Sequence, residues 1–187
     1  MTKRSDAFDR RRFLRGGSVL LAAGLVWQPK LAWSKTYASA DEARRAIWGD
    51  KAFRPAPIEL TKDQMKAIKK ASNVRVRNGK LNAFRADDGS WFILDQVIGK
   101  HEYIDIGVGI GADGAVAGVE VLEYRESYGH EIIHPNWRAQ FKGRGPQERL
   151  ELNKQIQNIS GATLSCRHVT DGVNRLAQTW DIVLKAV

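Results

Sequence analysis

The spacing of hydrophobic positions changes character along this chain. Near the C-terminus, Val169, Val173, Leu176, Trp180 and Val183 step by four, three, four and three. That is one buried helical stripe, and Arg167, Asp171, Arg175 and Lys185 fall between its members. In the middle of the chain the pattern is β-rich and partly alternating. Leu81–Arg85, Trp91–Ile98, Tyr103–Ile110 and Val116–Tyr124 read as strands, with Ile104, Ile106, Val108 and Ile110 on one face. Asp87-Asp88-Gly89 and Ala112-Asp113-Gly114 supply hairpin turns. Ser39 to Trp48 has helical character, and Thr61-Lys62-Asp63-Gln64 is a capping box opening a helix to about Ala71. Short helices are expected over Asn136–Phe141 and Pro146–Gln157. This order predicts an α+β fold, an antiparallel sheet packed by helices.

The N-terminus follows another logic. Asp9-Arg10-Arg11-Arg12-Phe13-Leu14-Arg15 is followed by an apolar run from Gly16 to Trp27. The run is short of the roughly 20 residues a membrane span needs. A basic region, a short apolar stretch and later small residues read as a cleaved signal peptide over residues 1–34. Cleavage is expected after Ser34, with Ala38-Ser39-Ala40 as a second site and an uncleaved anchor as the competing reading. The pair Arg10-Arg11 resembles a twin-arginine (Tat) export signal, which implies a periplasmic protein. The chain then divides into the leader 1–34, an N-terminal helical segment 35–78 and a main domain 79–187.

Charge changes meaning once the leader is set aside. Residues 1–34 carry seven Lys/Arg and two Asp/Glu of the chain's 30 and 21, leaving 23 and 19 beyond them. The net charge falls from +9 to about +4. No remaining basic stripe with interleaved aromatics argues for nucleic acid. Lys66, Lys69 and Lys70 read as a solvated helix face. A modest attraction to anionic lipid or an acidic redox partner remains open. Cys166 is the single cysteine, so no internal disulfide, c-type haem or iron–sulfur cluster is expected. A place in the first turn of the last helix can lower a thiol pKa, but the preferred reading is a small helix residue next to the Ser160–Ser165 turn.

The chemistry concentrates in Ser160-Gly161-Ala162-Thr163-Leu164-Ser165, directly before the amphipathic helix. A small-residue turn opening a helix presents free N–H groups and the positive end of the helix dipole, a site for phosphate. Ser160 is the expected N-cap. Thr163 adds a hydroxyl able to carry a phosphate covalently. An ordinary capped helix is the plain alternative. The run resembles the flavinylation motif of the FMN-binding domain family, in which FMN is joined to threonine through a phosphoester. The family's usual acidic residue three positions before the serine is Gln157 here. The resemblance covers roughly Gly79 to the C-terminus. It implies a single FMN-binding domain with a C-terminal amphipathic helix, covalent FMN on Thr163, and Ser165 as the fallback acceptor. It also implies Glu126 and Gly129 as cofactor contacts, because Glu126-Ser127-Tyr128-Gly129 stands where relatives carry Glu-Thr-Pro-Gly. Family members include subunits of the Na+-translocating NADH:quinone oxidoreductase and the Rnf complex. The implied partners are an FAD:protein FMN transferase and a membrane-bound redox protein, and the implied role is extracytoplasmic electron transfer.

Two further motifs compete. His130-Glu131-Ile132-Ile133-His134 fits the zinc-protease HExxH pattern. Gly129 before it and Pro135 after it leave no room for the long helix that chemistry needs. A zinc-dependent hydrolase, with Glu151 or His168 as third ligand, is therefore an alternative, as is a cofactor-free binding module. His168 either tunes the flavin site or is a polar packing residue, the reading the helix favours.

Overall fold

The computed structural model describes residues 35–187; the leader expected over 1–34 lies outside the described residues. Four long strands form an antiparallel meander: β4 (Lys80–Arg85), β5 (Trp91–Ile98), β6 (Tyr103–Ile110) and β7 (Val116–Tyr124). Their bounds match the alternating segments almost residue for residue. Gly89 and Gly114 turn the first and third hairpins at φ +85° and +84°, a conformation glycine adopts without steric cost. Residues 35–78 join the same sheet. β1 (Lys35–Thr36) pairs with β7, while β2 (Arg54–Pro55) and β3 (Ile58–Glu59) both pair with β4. The order is β1-β7-β6-β5-β4-β2.

One face of the sheet carries Trp91, Ile93 and Val97, then Ile104, Ile106, Val108 and Ile110, all buried. Cross-strand pairing puts Ile93 opposite Val108 and Val97 opposite Ile104. Register shifts between β6 and β7 near Ile106 and Ile110 act as bulges. They keep Val116, Val119, Val121 and Tyr124 on that same face although their spacing is not a strict two. Helix α4 (Thr163–Ile182) lies against this face, and its stripe Val169, Val173, Leu176 and Trp180 is buried. α1 (Ala40–Trp48) covers the opposite face. There Gly109 and Gly118 make room: a Cβ at Gly109 would meet the Ile47 side chain at 2.6 Å. α2 (Lys62–Ser72) packs on α4. The capping boxes of Ser39 with Glu42 and Thr61 with Gln64 are both formed. No helix among the described residues is long and apolar enough to cross a membrane.

Two expectations need correction. The helix expected over Asn136–Phe141 is one α-turn, α3 (Pro135–Arg138), continued by a 3-10 turn over Ala139–Phe141. The helix expected over Pro146–Gln157 does not form. Asn153 takes φ +63°, Leu152 and Ile156 make an isolated bridge, and the Gln155 side chain accepts from the Glu151 N–H. Asn174 on α4 binds both backbone groups of Leu150, at 2.9 Å each. The segment's backbone is thus satisfied by side chains and the bridge, and Leu150 and Ile156 are buried as anchors.

Arg175 falls between members of the apolar stripe but does not project into solvent. It is buried and ion-paired with Asp95 of β5. Burial pushes the Asp95 carboxyl above the ordinary range, and the Arg175 guanidinium only partly opposes it.

Candidate functional site

The Ser160–Ser165 run sits where α4 leaves the loop from β7. Ser160 and Gly161 are exposed, and Gly161 turns at φ +81° with open space around its would-be Cβ. The N-cap is Ala162, not Ser160, and no side chain caps the helix. The Ala162 N–H binds Ile159 O at 3.1 Å, and the first helical bond is Cys166 N–H to Ala162 O at 2.9 Å. The N–H groups of Thr163, Leu164 and Ser165 therefore precede the helical ladder and face the turn unpaired by it. With no side-chain oxygen capping them, they are open to an anion.

Thr163 is half-buried at the first helical position. Its Oγ1 accepts from Asn158 Nδ2 at 3.2 Å, while Asn158 Oδ1 is buried without a partner. Ser165 is buried, its Oγ lying 3.2 Å from Tyr124 Oη. Tyr124 Oη also donates to Tyr128 O at 2.5 Å. Burial raises the Tyr124 phenol above its ordinary pKa, so it stays a donor. Leu164 and Tyr128 are among the few large hydrophobic side chains left exposed.

The loop after β7 meets this turn through Gly129. At φ +84°, a Cβ on Gly129 would lie 2.2 Å from Ala162 Cβ and 2.9 Å from Tyr124 Oη. Gly129→Ala is expected to cost about 2–4 kcal/mol, combining left-handed strain with overpacking. Gly143, at φ +78° with nothing near its would-be Cβ, carries the strain alone. Gly143→Ala should therefore cost markedly less in a parallel urea titration. Equal costs would show that Gly129 does not seat the loop on Ala162.

Glu126 is placed differently. Its Oε1 accepts from the His101 and Glu102 N–H groups at 2.5 and 3.0 Å. Burial acts to raise this carboxyl, but those donors hold it below the ordinary value. Glu126 fastens the β5–β6 turn to the loop, beside Gly99.

The competing motifs resolve locally. His130–Ile133 is a single 3-10 turn, and His134 leaves it in extended backbone. At three residues per turn the two histidines do not share a helical face. His130 instead contacts Tyr37 Oη at 3.1 Å and stacks edge-on against Tyr124. Among the described residues no group of three His, Cys, Asp or Glu is placed to hold a metal. His168 Nδ1 lies 2.6 Å from Ile98 O, tying α4 to the end of β5. Cys166 is fully buried as a small packing residue of the helix, and burial raises its thiol pKa against the pull of the helix terminus.

A cavity of about 950 Å³ lies elsewhere, between β4 and the far end of β5, lined by Arg75, Arg77, Gln96, His168 and Asp171. It exists because β4 pairs with β5 only from Asn82 onward, and Asp95–Ile98 continue past it. Thr163 is not among its walls. Asn158, the one side chain among the described residues bonded to Thr163 Oγ1, carries no local sequence signal. Four residues of irregular chain separate the two.

The chain is similar to known proteins in sequence and in fold. Residues 99–178 match the FMN-binding domain family, a span that holds both the 126–129 loop and the Thr163 turn. This part of the chain is thus similar to FMN-binding domains. Among curated proteins, one component of the Na(+)-translocating ferredoxin:NAD(+) oxidoreductase complex of Acetobacterium woodii is 30% identical over 91 residues. That alignment covers 44% of each protein, so the chain spans less than half the length of this relative. The crystal structure of Shewanella oneidensis NqrC shares the α+β fold at a TM-score of 0.52, with 18% identity, over 79% of this chain and 93% of that one.

Proposed function

We propose that this chain is an exported electron carrier whose FMN is held through a phosphoester to Thr163. The observation that carries the reading is the Thr163 turn itself: a half-buried threonine hydroxyl on the first helical position, beside three backbone N–H groups outside the helical ladder. The residues fit a phosphate group. The uncapped N–H groups and the helix dipole offset its charge. Exposed Ser160 and Gly161 leave the hydroxyl approachable. The Asn158 amide donates from Nδ2 to the attachment oxygen at 3.2 Å. Gly129 and Tyr124 hold the neighbouring loop against the turn.

When bound, a flavin exchanges electrons singly or in pairs, and the protein supplies its position and electrostatic surroundings. A covalent tether would keep it in a compartment with little free flavin. Export is supported by the basic, twin-arginine N-terminus and by the concentration of the chain's positive excess there. The implied maturation partner is an FAD:protein FMN transferase, and a membrane-bound redox protein is the implied electron partner.

The test is the intact mass of the protein co-produced with an FMN transferase, taken from the extracytoplasmic fraction. A gain of one FMN less a water is expected, with loss of the leader. No gain beside a transferase shown to modify a known acceptor would overturn the reading.

A further inference from the structure

We infer that Asn158 is a positioning residue for flavin attachment: its amide orients the Thr163 hydroxyl and then holds the resulting phosphodiester. The inference rests on the tethered-flavin reading and names the side chain that prepares the acceptor.

Asn158 Nδ2 is 3.2 Å from Thr163 Oγ1. No other side chain among the described residues is hydrogen-bonded to that oxygen. Ser165 Oγ is committed to Tyr124, and Ser160 is exposed. Asn158 Oδ1 is buried and unpaired. Buried amide oxygens are ordinarily paired, so an orphan beside a reactive hydroxyl points to a group that completes it in another state. A carboxamide suits two states because a half-turn about its last bond exchanges donor and acceptor. With Oδ1 toward Thr163, it accepts the hydroxyl hydrogen and aims an oxygen lone pair outward. With Nδ2 toward Thr163, it donates to the ester or phosphoryl oxygen once that hydrogen is gone.

The reach is fixed by the surrounding backbone. The Gln157 N–H donates to Gln140 Oε1 at 2.7 Å, and Trp137 Nε1 donates to Gln157 O at 2.8 Å. The Ala162 N–H closes the turn on Ile159 O. Gln157 itself is exposed and has no contact with Thr163 among these bonds. Asn158 is therefore held on both sides at a set distance from the acceptor.

In the transfer, Thr163 Oγ forms a bond to the FMN-side phosphorus of FAD. The pyrophosphate bond breaks with its electron pair on the departing AMP, and the hydroxyl proton passes to solvent. No oxidant or reductant is needed.

The experiment compares purified, leader-free protein carrying Asn158, Asn158→Ala or Asn158→Asp, each with transferase and FAD. Initial rates of mass gain are read against acceptor concentration. Asn158→Ala is expected to lower kcat roughly tenfold to hundredfold, as misplacement of a reacting group does, with KM for the acceptor protein unchanged. Asn158→Asp keeps an acceptor and should recover most of the rate at neutral pH but lose it as the carboxylate protonates. In completed adducts, the 31P resonance of the phosphodiester should shift in Asn158→Ala. Thermal unfolding identifies a variant that fails to fold, in which case Asn158→Asp and its pH profile decide. A modified wild type with unaltered rates and 31P resonance in both variants overturns the inference alone. A wild type that gains no mass overturns the tethered-flavin reading, and the inference with it.

Discussion

Replacing Thr163 with alanine is expected to abolish covalent FMN entirely, while Thr163→Ser retains it. The hydroxyl is what threonine and serine share and alanine lacks, and the turn supplies no substitute. The sequence makes Ser165 the natural fallback, two residues on in the same turn. The structure removes it: Ser165 is buried, its hydroxyl engaged with Tyr124 Oη. Freeing it would break a buried hydrogen bond, at about 1–3 kcal/mol, and would unwind the first turn of α4. Ser160 is exposed but lies outside the helix, beyond Gly161. Serine at 163 places the same oxygen on the same backbone and loses only a methyl group. Intact mass and flavin fluorescence surviving denaturation measure both variants. An adduct on Thr163→Ala mapped to Ser165 would show that the first turn opens during attachment. An unmodified Thr163→Ser beside a modified wild type would show that the methyl group is needed for recognition.

What was legible in the sequence was local. The strands from Leu81 to Tyr124 could be read because β-branched and aromatic residues recur between clear glycine turns. The capping box at Thr61 was equally plain, since it is a reciprocal bond across three residues, whereas that of Ser39 with Glu42 emerged only in the structure. What was hidden depends on partners distant in the chain. Pro146–Gln157 has helix-forming composition, yet Asn174, more than twenty residues on, takes the Leu150 backbone. Ser160 has cap chemistry, but the turn through Gly161 carries it past the helix start. Cys166 sits in a helix's first turn, where the dipole favours a thiolate, yet the sheet buries it and desolvation wins. Thr163 itself was visible as a motif. Asn158 was not, because only the folded loop brings it to the threonine.

The helix that carries Thr163 is bolted to the sheet by one buried ion pair, and cutting it should be the largest stability loss outside the apolar core. Asp95→Ala leaves the Arg175 guanidinium buried without its partner; the two side chains are 15% and 11% exposed. Removing one member of such a pair costs about 3–5 kcal/mol, a fall of roughly 10 °C or more in Tm for a domain of this size. The reverse variant, Arg175→Met, differs in its pH dependence. Burial already raises the Asp95 carboxyl, and losing the cation raises it further. An acid with a raised folded pKa binds its proton more readily when folded, so stability falls as pH rises from the ordinary carboxylate value through the folded one. The deficit of Arg175→Met should therefore be full near neutral pH and shrink as the medium is acidified and Asp95 protonates. Arginine stays charged throughout, so that of Asp95→Ala should not shrink in this way. Asp95→Leu combined with Arg175→Met removes both charges and should recover most of the loss. Urea titrations near pH 7 and pH 4 distinguish these cases. If the double variant is as unstable as Asp95→Ala, α4 is held by geometry specific to the pair, and its removal would also be expected to loosen the Thr163 turn.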